Sequence, residues 1–338
     1  DSGFMKPLGF QENLEALCNK TSRQLLKYLI KQILFVCGAS LLIALEFSFF
    51  LYFFLFSGKT VIPAFCLACF FLTLFVCLVT RLYLLSGKGD FFEDLASEYL
   101  QGAVPPNKRS QNIVEEQSHL AAAATKLSIN LQNQEYSLLS EIFKFLPKHD
   151  LIRKFSCFCF WKDYFLFREC LLQKAIEAYI KVVQAIPVDL SAHVSLADAY
   201  VALSGLYADP RKYPEFDANY WIPSGRYSAE IQEKFFATAR RAIEEFQILN
   251  EYAPGNAWVH AQLAYSYHDL QMPMEEIQEY EIVLKLKPND VETMSKLGIL
   301  YFQQGMNAKG LRIYEEIKKR DYKKSQKLIK FYGVEYKY

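Results

Sequence analysis

Apolar residues are distributed along this chain in two unlike patterns. From Gln32 to Phe56 they run almost unbroken, with Glu46 as the one formal charge, and from Thr60 to Thr80 there is no charge at all. In the C-terminal half they recur instead at helical spacing among Glu, Lys and Tyr. An unbroken run predicts an element that meets apolar surroundings on every side, whereas a spaced one predicts a helix with a single buried stripe. At about 1.5 Å per residue each unbroken run outreaches a hydrocarbon core ~30 Å thick, so both are long enough to span a bilayer.

The energetics agree with the lengths. Sixteen Leu, Ile, Val and Phe residues lie between Ile33 and Phe56. Each contributes roughly −0.3 to −0.6 kcal/mol near the centre of a span, against about +3 for one mid-helix carboxylate. The link Ser57–Thr60 fits only an antiparallel hairpin. Lys20, Arg23, Lys27 and Lys31 precede the first run, Arg81 and Lys88 follow the second, and Lys59 alone marks the bend. That bias puts both termini on the cytoplasmic side. The "GKT" at the bend lacks the earlier Gly of a phosphate loop, since position 53 is Phe. Ser40, Ala44 and Ser48 form a small-residue face on the first run, as do Cys69, Thr73 and Cys77 on the second, with Ala64 and Ala68 nearly opposite. Such faces let helices approach closely in lipid and can join copies of the chain. If the Ser40 face packs on the second span, Glu46 points away from it, toward another subunit or lipid; a bond to a nearby Ser or Thr is the plainer alternative.

In the C-terminal half the stripe has a period. Leu263, Ala264, Tyr267, Tyr280 and Val283 recur 34 positions later as Leu297, Gly298, Tyr301, Tyr314 and Ile317. Leu196, Ala197 and Tyr200 begin an earlier unit, and Ala175, Tyr179 and Val182 precede it. Pro187, Pro254 and Pro288 close successive units, Pro being disfavoured within a helix. This pattern resembles the tetratricopeptide repeat (TPR) family over residues 156–324, most closely in the last two units. Where a Leu–small pair is expected before Ala175 stand Lys162 and Asp163. Helix pairs of this kind cannot bury their stripes alone, but stacked they form a solenoid. The resemblance implies a groove lined by the first helix of each unit: Val194, Asp198 and Val201; Trp258, Ala261, Tyr265 and His268; Ser295, Ile299 and Phe302. The Lys, Asn and Arg set with which some family members hold acidic C-termini is missing, Lys296 excepted, so no carboxylate clamp is expected. An apolar or amphipathic segment suits this groove better.

Between the helices of the 190–256 unit the chain carries 33 residues beyond the period. Part extends the second helix backward to Ser228, a suitable N-cap. The rest, near 205–227, holds Tyr213, Phe216, Tyr220 and Trp221, an aromatic content that predicts an ordered loop suited either to recognition or to covering the solenoid's own apolar surface. Residues 86–149 read as an amphipathic stretch, a linker at Pro105–Gln111 and a degenerate helix pair. "KFSCFCFWKDYFLF" (Lys154–Phe167) reads as packing inside the solenoid or against the membrane surface.

Composition adds exclusions. The net charge is +1, which gives no electrostatic reason to expect a nucleic-acid partner. All eight cysteines lie at or before Cys170, so no disulfide framework is expected in 171–338. Cys157 and Cys159 lack ligand-spaced partners, and His193 and His260, at one repeat position, could stack about a metal only if they were not packing residues. No catalytic residues, metal or cofactor are assigned, and the chain does not read as an enzyme.

The expected fold is all-α, a transmembrane helical hairpin followed by an α-solenoid of TPR-like helix pairs. Its divisions are an N-terminal cytoplasmic segment (1–31), the hairpin (32–85), the connecting region (86–149), and the solenoid (150–338) with a C-terminal capping helix. The expected function is a membrane-anchored adaptor that binds a protein partner. Two spans, a tiny loop and both termini on one side also resemble, in layout alone, the inclusion-membrane proteins of intracellular chlamydial bacteria. That resemblance implies a solenoid facing host cytosol, in an inclusion membrane rather than a bacterial inner membrane. A transport subunit working through Glu46 is the rival reading.

Overall fold

The structure is a computed structural model and describes residues 8–56, 61–104, 113–142, 149–212 and 221–334. Among these residues the regular elements are helices, with no strand. The chain divides into two compact units at Lys174/Ala175, whereas the sequence pattern starts the solenoid at 150.

In the first unit, helix α1 runs unbroken from Leu8 to Phe56, 49 residues. Sequence reading begins this helix at Gln32. The difference arises because Leu14, Cys18, Leu25 and Leu29 share one face and are buried, so the segment before the apolar run is a core element rather than a lead-in. They pack with residues of α3 (Lys88–Ala103), α4 (Ile113–Asn130), α5 (Gln134–Ile142) and the first half of α6 (His149–Ala185), around Phe92, Tyr99, Leu127, Phe160 and Phe167. Tyr28 stacks on Phe91 at 3.8 Å, Lys20 pairs with Glu98 at 2.9 Å, and the Tyr99 hydroxyl donates to the Ala123 carbonyl at 3.0 Å. Lys88 and Asp163 form a 2.7 Å ion pair with side chains only 15% and 11% exposed.

The rest of α1 packs along α2 (Val61–Ser86). The partly covered positions of α1 are Phe35, Ala39, Ile43, Glu46, Phe50 and Phe53, and those of α2 include Cys66, Cys69, Thr73 and Cys77. Ser40, Ala44 and Ser48 face outward. The condition for an outward Glu46 therefore fails and that reading is corrected, while the plainer alternative, a bond to a nearby Ser or Thr, is what the structure has: the seam passes through Glu46 at helical spacing, and Thr73 Oγ1 donates to its Oε1 at 2.9 Å. Elsewhere the hairpin's apolar side chains are bare, Leu34, Phe54, Leu72 and Phe75 being 64–65% exposed. The bend at 57–60 lies outside the described residues.

The second unit is a run of helix pairs: α7 (Leu190–Tyr207) with α8 (Ala229–Tyr252), α9 (Ala257–Asp269) with α10 (Pro273–Leu286), and α11 (Val291–Gln303) with α12 (Asn307–Arg320), followed by α13 (Tyr322–Leu328). This is a TPR-like helical repeat, with joints that repeat as well. Two residues past each closing Pro stands a side chain that caps the next helix: Asp189, Asn256 and Asp290 accept from the amides of Ser191, Trp258 and Glu292. Each Pro carbonyl also meets a side-chain nitrogen: His193 on Pro187 (3.1 Å), His260 on Pro254 (3.0 Å) and Arg320 on Pro288 (2.9 Å). Ala197, Ala264 and Gly298 are buried at the close approaches. A Cβ on Gly298 would come within 2.7 Å of Leu328 and 3.1 Å of Ile313, so α12 and α13 both need the missing methyl. Ser228 caps α8 as the sequence suggests, its hydroxyl accepting from the Ile231 amide at 3.4 Å.

Candidate functional site

Helices α7, α9 and α11 carry the groove residues of the second unit. Burying one stripe of each helix leaves the intervening positions in view: Asp198, Val201, Trp258, Tyr265 and His268 are exposed, and Val194, Ala261, Ser295 and Ile299 are half-buried. Phe302 does not join them and is corrected. It is 4% exposed, and a Cβ on Gly310 would lie 2.5 Å from its ring, so α12 crosses directly over it.

The exposed aromatics are held in place from beneath. Trp258 meets Phe246 edge-on at 6.0 Å, and Tyr265 meets Tyr280 at 6.2 Å. Lys296 donates to the Tyr265 hydroxyl at 3.0 Å, joining α9 to α11. Ordered aromatics lose little entropy when a partner covers them. Asp198 belongs to no ion pair among the described residues, and although the residue is exposed overall, partial burial of its carboxyl raises it above the ordinary range. Burial, together with Asp198, likewise raises the Tyr179 hydroxyl.

The groove's His268 also borders a cavity of about 630 Å³ that sequence reading did not find. Its walls are the start of α8 (Ile231, Phe235), the head of α10 (Pro273, Glu276) and the two described ends of the 205–227 insertion. Those ends are fastened. Arg211 binds Asp209 through Nη2 at 2.7 Å and lies 3.6 Å over the Tyr227 ring, while Arg226 donates to the Leu206 carbonyl at 2.7 Å. Glu276, nearly buried, takes His268 Nδ1 at 3.1 Å and, against burial, raises that imidazole above its ordinary value. Trp221 is 37% exposed, whereas Tyr213, Phe216 and Tyr220 lie outside the described residues. The wall residues on α8 follow a spacing of four, Ile231 and Phe235, which the sequence carries. The Arg211–Tyr227 stack joins residues sixteen apart across the insertion and leaves no periodic signal.

The two repeat-position histidines do not face one another. Nδ1 of His193 meets Glu245 at 2.7 Å and that of His260 meets Glu279 at 2.6 Å, so each ring links a Pro carbonyl to the second helix of its own unit. Both nitrogens of each ring are thereby engaged. No group of three His, Cys, Asp or Glu side chains suited to a metal ion occurs among the described residues.

No protein-family model and no curated protein matches this sequence. Among solved structures, the chain is similar to TTC0263, a thermophilic TPR protein of Thermus thermophilus, at 15% identity and a TM-score of 0.32, covering 64% of this chain and 91% of that one. A MamA RS-1 ArsTM double mutant aligns at 11% identity and 0.32, over 72% and 95%. The TPR domain of P58(IPK) aligns at 14% identity and 0.23, over 95% and 98%. The TPR-like character assigned above rests on the chain's own periods, caps and helix pairs.

Proposed function

We propose that this protein is a membrane-anchored adaptor, whose hairpin at 32–85 sits in a bilayer with both termini cytoplasmic and whose repeat unit captures another polypeptide. The observation that carries the capture is the row of large side chains left bare on α7 and α9, Val201, Trp258 and Tyr265, each 38–43% exposed. Core packing explains their neighbours but not these. A segment with apolar side chains and one cation fits the row, the cation answering Asp198. For the anchor, the support is a bare apolar hairpin whose only formal charge inside the spans, Glu46, is bonded across the seam to Thr73. The outward small-residue faces at Ser40, Ala44 and Ser48 suit self-association in lipid.

The test is crosslinking capture by the full chain from its native membranes. Trp258→Ala with Tyr265→Ala should remove the wild-type partner band while the helical signal stays unchanged, because neither ring is buried. Undiminished capture by that variant refutes the groove. Glu46→Gln keeps an acceptor for Thr73 and should capture normally; loss of phenotype with intact capture would favour the transport reading.

A further inference from the structure

Glu276 is a nearly buried carboxylate with only one of its two oxygens bonded. The chain folds back after α9 through the left-handed Gln271, and Pro273 opens α10. The acid therefore stands in the first turn of that helix, where the dipole favours an anion. Its side chain is 6% exposed. Oε2 accepts from His268 Nδ1 at 3.1 Å. Oε1 accepts no hydrogen bond among the described residues, although it keeps an open face. Because Glu276 lines the cavity of about 630 Å³, that second oxygen opens on the cavity.

The rest of the wall decides what the oxygen can hold. Ile231 and Phe235 of α8, Tyr227 and Leu300 give the cavity apolar and aromatic surface. Arg211 is engaged by Asp209, which its Nε and Nη2 reach at 3.0 and 2.7 Å. Lys212, exposed at the wall, and Asp269 are opposite in sign. The one side chain bonded to Glu276 is His268, itself 66% exposed. Glu276 and then Asp269 favour the second proton on that ring, against burial and the charge of Lys296. An anionic ligand would face the carboxylate at close range. A purely apolar one would strip water from Oε1 without replacing its hydrogen bond. A cation with an N–H donor does neither.

We propose that this cavity binds a small organic cation, a primary ammonium or guanidinium on an apolar stem, with the charged head on Glu276 Oε1 and the stem among Ile231, Phe235 and Tyr227. The volume is that of a ligand site rather than a packing void. The head and the protonated His268 ring share one carboxylate, so each weakens the other's hold. The same head can arrive on a free amine or on the Lys or Arg of a polypeptide. Neither the anchor nor the groove is needed for the inference.

The test is a ligand-observed NMR titration of the full chain in detergent micelles, corrected for binding to empty micelles. It is run at about pH 6, where the His268 ring is protonated. The probes are n-butylammonium, the neutral 1-butanol and the anion pentanoate. The amine should bind about tenfold or more tightly than the alcohol, the step expected of a charge-assisted hydrogen bond, and the anion should not bind. Glu276→Gln should erase the amine's advantage. His268→Ala removes only an exposed ring and should tighten the amine severalfold. Misfolding cannot imitate a gain of affinity, so this variant decides the matter even if Glu276→Gln unfolds. Equal binding of amine and alcohol overturns the inference, as does an amine affinity unmoved or weakened in His268→Ala, or binding of no probe. A capped Ala-Lys-Ala peptide carries the same butylammonium stem: tighter binding than the free amine assigns the site to polypeptide side chains, weaker binding assigns it to free amines, and either order supports the inference.

Discussion

At the scale of single residues, the repeat explains features that look arbitrary one at a time. Gly305 and Gln271 stand 34 positions apart and both take left-handed backbone, at φ 71° and 58°. Glycine does so freely, whereas glutamine is strained by roughly 1–2 kcal/mol. Gln271→Gly should therefore raise the unfolding free energy by up to about 1 kcal/mol after the entropy of a free glycine is subtracted, as chemical denaturation of the chain would read. His193 carries a pH signature. Burial disfavours its charged ring, but the Glu245 carboxylate and the Pro187 carbonyl outweigh that, and the imidazole is raised above 6.5. Both partners accept hydrogen bonds, so a ring carrying both protons satisfies them together. A raised native value means that the stabilisation is complete below about pH 6.5, the unfolded value, and is lost as pH rises beyond it through the higher native one. His193→Gln should cost roughly 1–3 kcal/mol in mildly acidic solution and little at alkaline pH, flattening the pH profile of unfolding. An unchanged profile would show that the clamp contributes nothing.

At the scale of elements, what the sequence disclosed and what it hid divide by the range of the contacts. The units after 190, their closing prolines, the Ser228 cap and the two apolar helices follow from spacing within tens of residues, and all are legible. The bundle of the first unit is not. Leu14, Cys18, Leu25 and Leu29 are interrupted by a turn whose inward positions are held by Thr21 and Ser22, so the apolar stripe is broken in sequence although the buried face is continuous in space. Asp163 reads as a failure of the repeat until its partner is found 75 residues earlier, at Lys88. Phe302 misled in the opposite sense: a repeat position places it in the groove, but the bare backbone of Gly310 lets α12 close over it. The Lys88–Asp163 pair sets its own test. Removing one member of a buried pair costs about 3–5 kcal/mol, whereas replacing both by apolar residues is often neutral. Lys88→Met should thus destabilise the first unit strongly and Lys88→Met with Asp163→Leu should recover most of the loss, read by protease resistance of the bundle. Equal loss in both variants would assign the effect to packing instead.

For the whole molecule, the question is which way the proposed anchor is inserted. Sequence alone counts six cations outside the bend against Lys59 within it. The structure changes their weight, because Lys88 is committed to Asp163 and Lys20 to Glu98. Arg23, Lys27 and Lys31 remain exposed, spaced by four along the face of α1 that leads into the apolar run. Each cation beside an anionic leaflet contributes about 1 kcal/mol, so these three supply about 3 kcal/mol of the bias toward a cytoplasmic N-terminus. In the wild-type chain, epitopes placed at residue 58 and at the C-terminus should then be cleaved from opposite faces of sealed vesicles. Changing Arg23, Lys27 and Lys31 to Gln leaves Arg81 as the one uncommitted flanking cation against Lys59, and a mixed orientation should follow, with part of the C-terminal epitope protected. A chain that keeps its single orientation without those charges would mean that the folded bundle, too bulky to cross, fixes the topology by itself. Cleavage of both epitopes from one face in the wild type would leave no place for a spanning hairpin.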